Sequence, residues 1–136
     1  MTPRPGEIEY LDLRDLLDLA TSLLGDPPPV RDLGLLEAAV ARPRASVFGE
    51  DAYPDVLHKA AALFQSLVKD HALVDGNKRL SWLATATFLE LNGYATTEAS
   101  NNDVYNFVLD AAAHHREIDA IAQSLRKLST RKQTRI

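Results

Sequence analysis

One segment of the sequence, Asn77 to Leu91, is apolar on nearly every side when it is drawn as a helix. A helix without a polar face must be covered by other elements, so we expect this one at the centre of the fold. Its uncharged stretch, Leu80 to Leu89, has ten residues. That is about half of the ~20 residues that a membrane-spanning helix needs, so the segment indicates a buried helix and no membrane partner.

Five further segments repeat apolar residues at helical spacing. The first two predicted helices are Leu13–Leu24 and Leu33–Ala41, the latter with Asp32 as its N-cap. The third has Pro54 in its first turn and ends near Asp70. The fifth is capped by Ser100, Asn101 or Asn102, and the sixth runs along Ile118 to Leu128. The chain has 21 Leu and 19 Ala against 12 Val and Ile together, which favours helix over strand. We therefore predict an all-α fold, a compact bundle of about six helices around a central buried helix.

Length and charge indicate one domain. The 136 residues fit a single helical domain over 1–128, followed by a flexible basic tail over 129–136. Residues 126–136 hold five basic side chains and no acid, which leaves ten basic residues against 19 acidic ones in the rest of the chain. An acidic body argues against direct nucleic-acid binding. The chain has no cysteine, and its start lacks the pattern of a secretory signal, so we expect a cytoplasmic protein without disulfides or thiolate metal sites.

The nine residues from His71 to Arg79 concentrate more chemistry than any other part of the sequence. They lie between the third and fourth predicted helices, where the first N–H groups of a helix lack partners and attract anions. Gly76 permits a positive φ or a close backbone approach, Asn77 can cap the helix, and Lys78 and Arg79 add positive charge. The segment therefore predicts a phosphate-binding site.

Two more residues of this segment fit phosphate chemistry. Asp75 is placed to hold Mg²⁺ against phosphate oxygens, and His71 to accept a proton from an attacking hydroxyl. Each residue also has an ordinary structural explanation, such as a helix cap, an Asp-Gly turn or a solvated helix face. Their combination is what favours function.

The same nine residues resemble the signature of the Fic/Doc family, H-x-F-x-[D/E]-[G/A]-N-[G/K]-R, with Leu73 where Phe is usual. Leu can fill the same apolar slot, so we expect altered packing and retained chemistry. Lys78 favours the Doc (death-on-curing) branch, because members that transfer AMP usually have glycine there. Trp82 favours it too, since many of those members have a second arginine at that position.

The resemblance implies the toxin of a toxin–antitoxin pair, which transfers the γ-phosphate of ATP to a Thr or Ser hydroxyl of a translation factor, elongation factor Tu being the expected target, and so blocks translation. In that interpretation His71 is the general base, Asp75 supports Mg²⁺, and Gly76, Asn77, Lys78 and Arg79 hold the phosphates. Two alternatives stay open. One is transfer of AMP to a protein hydroxyl, and the other is a non-catalytic helical module that binds a phosphorylated ligand or a peptide.

The segment from Arg44 to Tyr53 has no sustained period and is either an irregular loop or a short flap. Self-inhibited family members carry a helix with S/T-x-x-x-E-G/N, which Ser46 to Asp51 matches poorly. The segment therefore favours a target-binding flap in which Phe48 and Tyr53 contact the partner. The missing inhibitory helix implies a separate Phd-like antitoxin with a disordered segment that folds on binding.

The remaining histidines and aromatic residues are interpreted as structural. His114 and His115 are neighbours and cannot share a helix face, and His58 shows no metal-binding partners in the sequence. Phe64, Trp82, Phe88 and Phe107 have the spacing of core residues.

Overall fold

The computed structural model of the protein describes residues 7–132. Within them the chain forms six α-helices, α1 (Leu13–Leu24), α2 (Leu33–Ala41), α3 (Val56–Lys69), α4 (Asn77–Leu91), α5 (Asn101–Ala113) and α6 (Ile118–Leu128). Four two-residue strands form two antiparallel pairs, β1 (Ser46–Val47) with β2 (Glu50–Asp51) and β3 (Tyr94–Ala95) with β4 (Thr130–Arg131). The predicted helical fold is confirmed.

Polar side chains at the N-termini of several helices explain where those helices begin. The caps of α1, α2, α3 and α5 are Asp12, Asp32, Asp55 and Ser100. Each accepts a hydrogen bond from a backbone N–H of the first turn, which would otherwise lack a partner. The predicted caps Asp32 and Ser100 are confirmed. Pro54 lies before the cap of α3 and not in its first turn, because Asp55 supplies the acceptor that the helix start requires.

The central helix is α3, and the prediction that α4 would be central is wrong. Ten of the 14 residues of α3 are buried, against six of the 15 residues of α4. The fully buried Ala60, Ala61 and Ala62 have small side chains that let neighbouring helices approach closely. Only part of the apolar surface of α4 packs on the core, because Trp82 and Leu83 line a cavity.

The helices around α3 bring several aromatic rings together. α3 packs against α4 and α6 and also contacts α2 and α5. Phe64 of α3 stacks on Phe107 of α5 with ring centroids 4.6 Å apart, and Trp82 of α4 meets the same ring edge-on at 6.1 Å. Phe64 and Phe88 are fully buried, as predicted, whereas Trp82 and Phe107 are only partly buried.

The basic segment predicted as a flexible tail, 129–136, is described as far as Lys132. Thr130–Arg131 pairs with Tyr94–Ala95, and the Lys132 N–H donates to the Gly93 carbonyl at 2.8 Å. This part of the segment is therefore held beside the end of α4. Residues 133–136, with Arg135, lie outside the described residues. In the described chain, no helix combines the length and apolar character needed to cross a membrane.

Candidate active site

The loop between α3 and α4 begins at His71. α3 is closed by its C-cap Asp70, and His71 then adopts a left-handed backbone conformation with φ of 51°. This conformation is uncommon for residues other than glycine, which usually occupies the corresponding position after a helix. The His71 side chain is exposed and lines the cavity described below, so the predicted base is accessible.

Asn77 fixes the shape of this loop. Its side-chain Oδ1 accepts from the Leu73 N–H, and its Nδ2 donates to the Leu73 carbonyl, both at 3.0 Å. The prediction that Asn77 caps α4 is wrong, because the capping position belongs to Gly76 and the Asn77 amide is turned back to the loop. Leu73 itself is buried in the core, as expected of an apolar residue in this loop.

Gly76 provides the sharp turn into α4. Its φ is +89°, and a Cβ at this position would lie 2.6 Å from Cδ2 of Leu24 at the end of α1. The positive φ is a conformation that the sequence indicated for this glycine, and the close approach is to Leu24. The two observations also show that the end of α1 packs closely against this turn.

The start of α4 has the features of an anion site. No side chain caps it, its first turn contains no acidic residue, and Lys78 and Arg79 are exposed there. Unpaired N–H groups, the helix dipole and two cations all favour a bound anion. Without an anion, the two cations would be repelled by the positive end of the helix dipole. The arrangement is therefore suited to phosphate.

Asp75 lies beside this helix start and is largely exposed. Its Oδ2 is 3.9 Å from Nη2 of Arg79, a loose ion pair one helical turn apart. Among residues 7–132 no group of three or more His, Cys, Asp or Glu side chains could hold a metal ion. One carboxylate beside a phosphate site fits Mg²⁺, which is commonly held by one or two carboxylates together with substrate phosphates and water.

A cavity of about 1100 Å³ joins these residues to an apolar groove. All six residues that match the signature line it, namely His71, Asp75, Gly76, Asn77, Lys78 and Arg79. The rest of its wall is mainly apolar and comes largely from α4 and α5. The cavity is large enough for a small-molecule ligand with a charged end and an apolar end.

Sequence reasoning missed the wall formed by α5. Asn101, Tyr105 and Leu109 line the cavity, and they recur every four residues on one face of α5. The signal was present, because Tyr105 and Leu109 are apolar residues outside the stripe of α5 that packs on the core, which includes Val104, Phe107, Val108 and Ala111. Trp82, predicted as core, combines its contact with Phe107 with a place in the cavity wall.

The predicted flap is a β-hairpin whose turn is Phe48-Gly49. Both turn residues have positive φ, 52° and 80°, and the Phe48 side chain is fully exposed. Tyr53 is half-buried, and its hydroxyl accepts from Nε of Arg42 at 2.9 Å. Neither Phe48 nor Tyr53 lines the cavity.

Buried or half-buried cations attach this hairpin to α3. The Lys59 side chain is only 1% exposed, and its Nζ donates to Oδ2 of Asp51 at 3.1 Å and to the Pro43 carbonyl at 3.3 Å. Arg42 donates both to Tyr53 and to Oγ of Ser66 on α3. The hairpin is therefore attached at both ends.

The other histidines do not line the cavity. His58 contacts Asp55 through Nδ1 at 2.8 Å and Asp119 of α6 through Nε2 at 3.0 Å. The hydrogen bond to Asp55 raises the pKa of His58 above its usual value, against the effect of partial burial and together with Asp119. His114 follows α5 as its C-cap, and His115 pairs with Glu117 at 3.4 Å.

Comparison with known proteins gives two matches. Residues 10–89 match the model of the Fic/DOC family. A curated protein from Mycolicibacterium smegmatis named Toxin Doc is 46% identical over 127 residues, which cover 93% of this chain and 98% of that protein.

Proposed function

The chain belongs to the Fic/Doc family, and we propose that it is the toxin of a toxin–antitoxin pair that transfers the γ-phosphate of ATP to a protein hydroxyl. The observation that carries this proposal is that six residues, His71 and Asp75 to Arg79, line the same cavity. They combine a proton acceptor with an uncapped helix start and two cations. Phosphoryl transfer depends mainly on such positioning and charge stabilisation.

In the proposed reaction a Thr or Ser hydroxyl of the target attacks the γ-phosphorus. The new bond joins the hydroxyl oxygen to phosphorus, the bond from the γ-phosphorus to the bridging oxygen breaks, and ADP leaves. His71 accepts the hydroxyl proton. Lys78, Arg79 and the N–H groups after Gly76 bind the phosphate oxygens, whose charge shifts as the bond breaks.

Asp75 is the residue proposed to hold Mg²⁺ together with the phosphate oxygens. When bound, the ion would supply positive charge against the transferred phosphate. The Asp75 carboxylate is exposed and only loosely paired with Arg79, so it is accessible for this role.

Lys78 supports γ-phosphate transfer over AMP transfer. It is the second residue of α4, is exposed and lines the cavity beside the helix start. A long cationic side chain there occupies space that members transferring AMP leave open with glycine. The same position lets its ammonium group reach a terminal phosphate.

Elongation factor Tu is the proposed target, and a Phd-like antitoxin the proposed partner that restrains the toxin. Phosphorylation of the translation factor would block translation. The fold supports a separate antitoxin, because Ser46 to Asp51 forms a hairpin and not an inhibitory helix.

The proposal is tested with ATP labelled at the α- or the γ-phosphate. The purified protein, the variant His71→Ala and the control His115→Ala are incubated with Mg²⁺, each labelled ATP and either bacterial extract or purified elongation factor Tu. His115 is an exposed histidine outside the cavity, so its variant controls for loss of a surface imidazole. We expect γ-label on the target, at least about 100-fold less with His71→Ala, and no change with His115→Ala.

Other outcomes contradict the proposal in distinct ways. Label from the α-phosphate would assign AMP transfer. Nucleotide binding without transfer, unaffected by His71→Ala, would assign a non-catalytic binding module. Transfer that is equal in both histidine variants would remove His71 from the role of base.

A further inference from the structure

His71 has a left-handed backbone conformation, which is uncommon for residues other than glycine. It also follows directly on the C-cap of α3, where the chain leaves the helix. A residue keeps such a conformation only when its surroundings impose it. The contacts of the His71 peptide therefore show what determines the direction of its side chain.

The loop between α1 and α2 lies along the His71 loop and supplies these contacts. The N–H groups of Arg31 and Asp32 donate to the Ala72 carbonyl at 2.8 and 2.9 Å. The Val74 N–H donates to the Pro29 carbonyl at 2.8 Å. Together with Val30 facing Leu73 in a single antiparallel bridge, they hold the two segments side by side.

Arg31 adds a contact that depends on its side chain. Its Nε donates to the His71 carbonyl at 3.0 Å, and its Nη2 donates to the same oxygen. Two donors on one carbonyl fix the plane of the peptide that follows His71, and with it the ψ angle of that residue. Since the Cβ direction depends on the backbone, the guanidinium constrains where the imidazole points.

We infer that Arg31 is a positioning residue for His71, which keeps the imidazole directed into the cavity. Arg31 does not line the cavity, so it acts through the His71 peptide and not by contact with a phosphate. The inference rests on the proposed function, because the direction of the His71 ring matters when His71 accepts the proton in the proposed reaction.

Kinetics of three variants test the inference. Arg31→Ala removes both donors, Arg31→Lys retains a cation with one donor reaching the carbonyl, and Arg14→Ala is the matched control. Arg14 is an exposed arginine of α1 whose Nε pairs with Asp18. We expect Arg31→Ala to lower kcat about tenfold or more and to leave the KM for ATP within about twofold, since misplacement affects chemistry more than binding.

The conservative variant and the control complete the test. Arg31→Lys should recover at least half of the lost kcat, and Arg14→Ala should match the wild type. Because Arg31 is exposed, the melting temperature of each variant should remain close to that of the wild type. An unchanged kcat in Arg31→Ala would overturn the inference. A rise in KM equal to the fall in kcat/KM would also overturn it, because Arg31 would then act by binding ATP.

A readout that needs no activity separates this inference from the proposed function. The ring signals of His71 in a ¹H–¹³C NMR spectrum report its surroundings whether or not phosphate is transferred. We expect Arg31→Ala to shift or broaden them, and Arg14→Ala to leave them in place. An inactive wild type with this shift would contradict the proposed function and support the positioning role. Unshifted His71 signals in Arg31→Ala would overturn the positioning role.

Discussion

Phe48 and His71 have a left-handed backbone conformation, which is uncommon for residues other than glycine. Each such residue costs on the order of 1–3 kcal/mol, and strain of this kind is concentrated at functional sites. His71 lines the cavity, so its strained conformation lies at the candidate active site. Phe48 is fully exposed and packs on nothing that would offset the strain, so at this scale it is the best candidate for a contact with another protein.

Replacing Phe48 should separate stability from target binding. Phe48→Asn puts the residue that two-residue hairpin turns prefer in the first turn position, so we expect unchanged or slightly higher stability, by up to about 1 kcal/mol. Phosphorylation of the target protein should fall at least fivefold if the ring contacts it. Denaturant unfolding and γ-label transfer to the target measure the two effects. Full transfer by Phe48→Asn would exclude Phe48 from target binding.

Gly76 should be less tolerant of substitution than a glycine with similar φ in open space. Gly76→Ala has to place a Cβ against Leu24, whereas Gly93, with φ of +92°, has no atom within 4 Å of the same position. We expect Gly93→Ala to cost about 1–2 kcal/mol from backbone strain alone, and Gly76→Ala to cost more and to weaken nucleotide binding. Equal losses of unfolding free energy would show that Leu24 moves aside without cost.

At the scale of elements, the attachment of the hairpin to α3 depends on an asymmetric ion pair. Lys59 is buried, while the side chain of Asp51 is 56% exposed. Removing either partner breaks the same hydrogen bond, but only one removal leaves a buried charge without its carboxylate. The two substitutions should therefore differ in effect.

The exposed partner should be the costlier one to remove. Asp51→Ala leaves Lys59 with the Pro43 carbonyl and the Tyr10 ring, and we expect a loss of roughly 2 kcal/mol. Lys59→Met fills the same space without charge and leaves Asp51 free to be hydrated, so unfolding free energy should change by less than about 1 kcal/mol. In both variants the Ala52 amide, which donates to Ala45 across the hairpin, should exchange faster. The opposite ranking of the two stabilities would contradict this account.

The elements also show how far the sequence could be interpreted. The helices and the caps Asp32 and Ser100 follow from local patterns and were predictable. The central position of α3 in place of α4 was not predictable in this way, because an apolar helix face has the same sequence pattern whether it packs on a helix or lines a cavity. The turned-back Asn77 amide and the Arg31 contact with His71 were also beyond local patterns. Both depend on how the chain returns on itself, which spacing along one helix does not encode.

For the whole molecule, the interface of α3 with α6 is one of the two most extensive helix–helix interfaces among the described residues. The two helices pack against each other, and His58 of α3 joins Asp119 of α6 at its edge. Because its contacts raise the pKa of His58 in the folded protein, the protonated ring stabilises the fold. That contribution is complete below the usual pKa of 6.5 and is lost as the pH rises through the higher folded-state value.

The variant His58→Gln should reveal this dependence. We expect the stability advantage of the wild type over the variant to be greatest below the usual pKa of 6.5 and to shrink as the pH rises through the higher folded-state pKa. Urea unfolding at several pH values measures the difference. His115→Gln, which removes an exposed imidazole beside Glu117, serves as the comparison for loss of a surface histidine. A constant difference between wild type and His58→Gln would contradict the sign of the shift.

The burial of α3 has a consequence for the order in which the protein is made. α3 leads directly to His71, but part of its apolar surface is covered by α6, which is synthesised almost fifty residues later. A growing chain that already contains every residue of the signature still lacks the helix that completes the core. We therefore expect the nascent polypeptide to remain inactive until α6 has emerged from the ribosome, so that an activity of the proposed kind would not oppose the translation of its own chain.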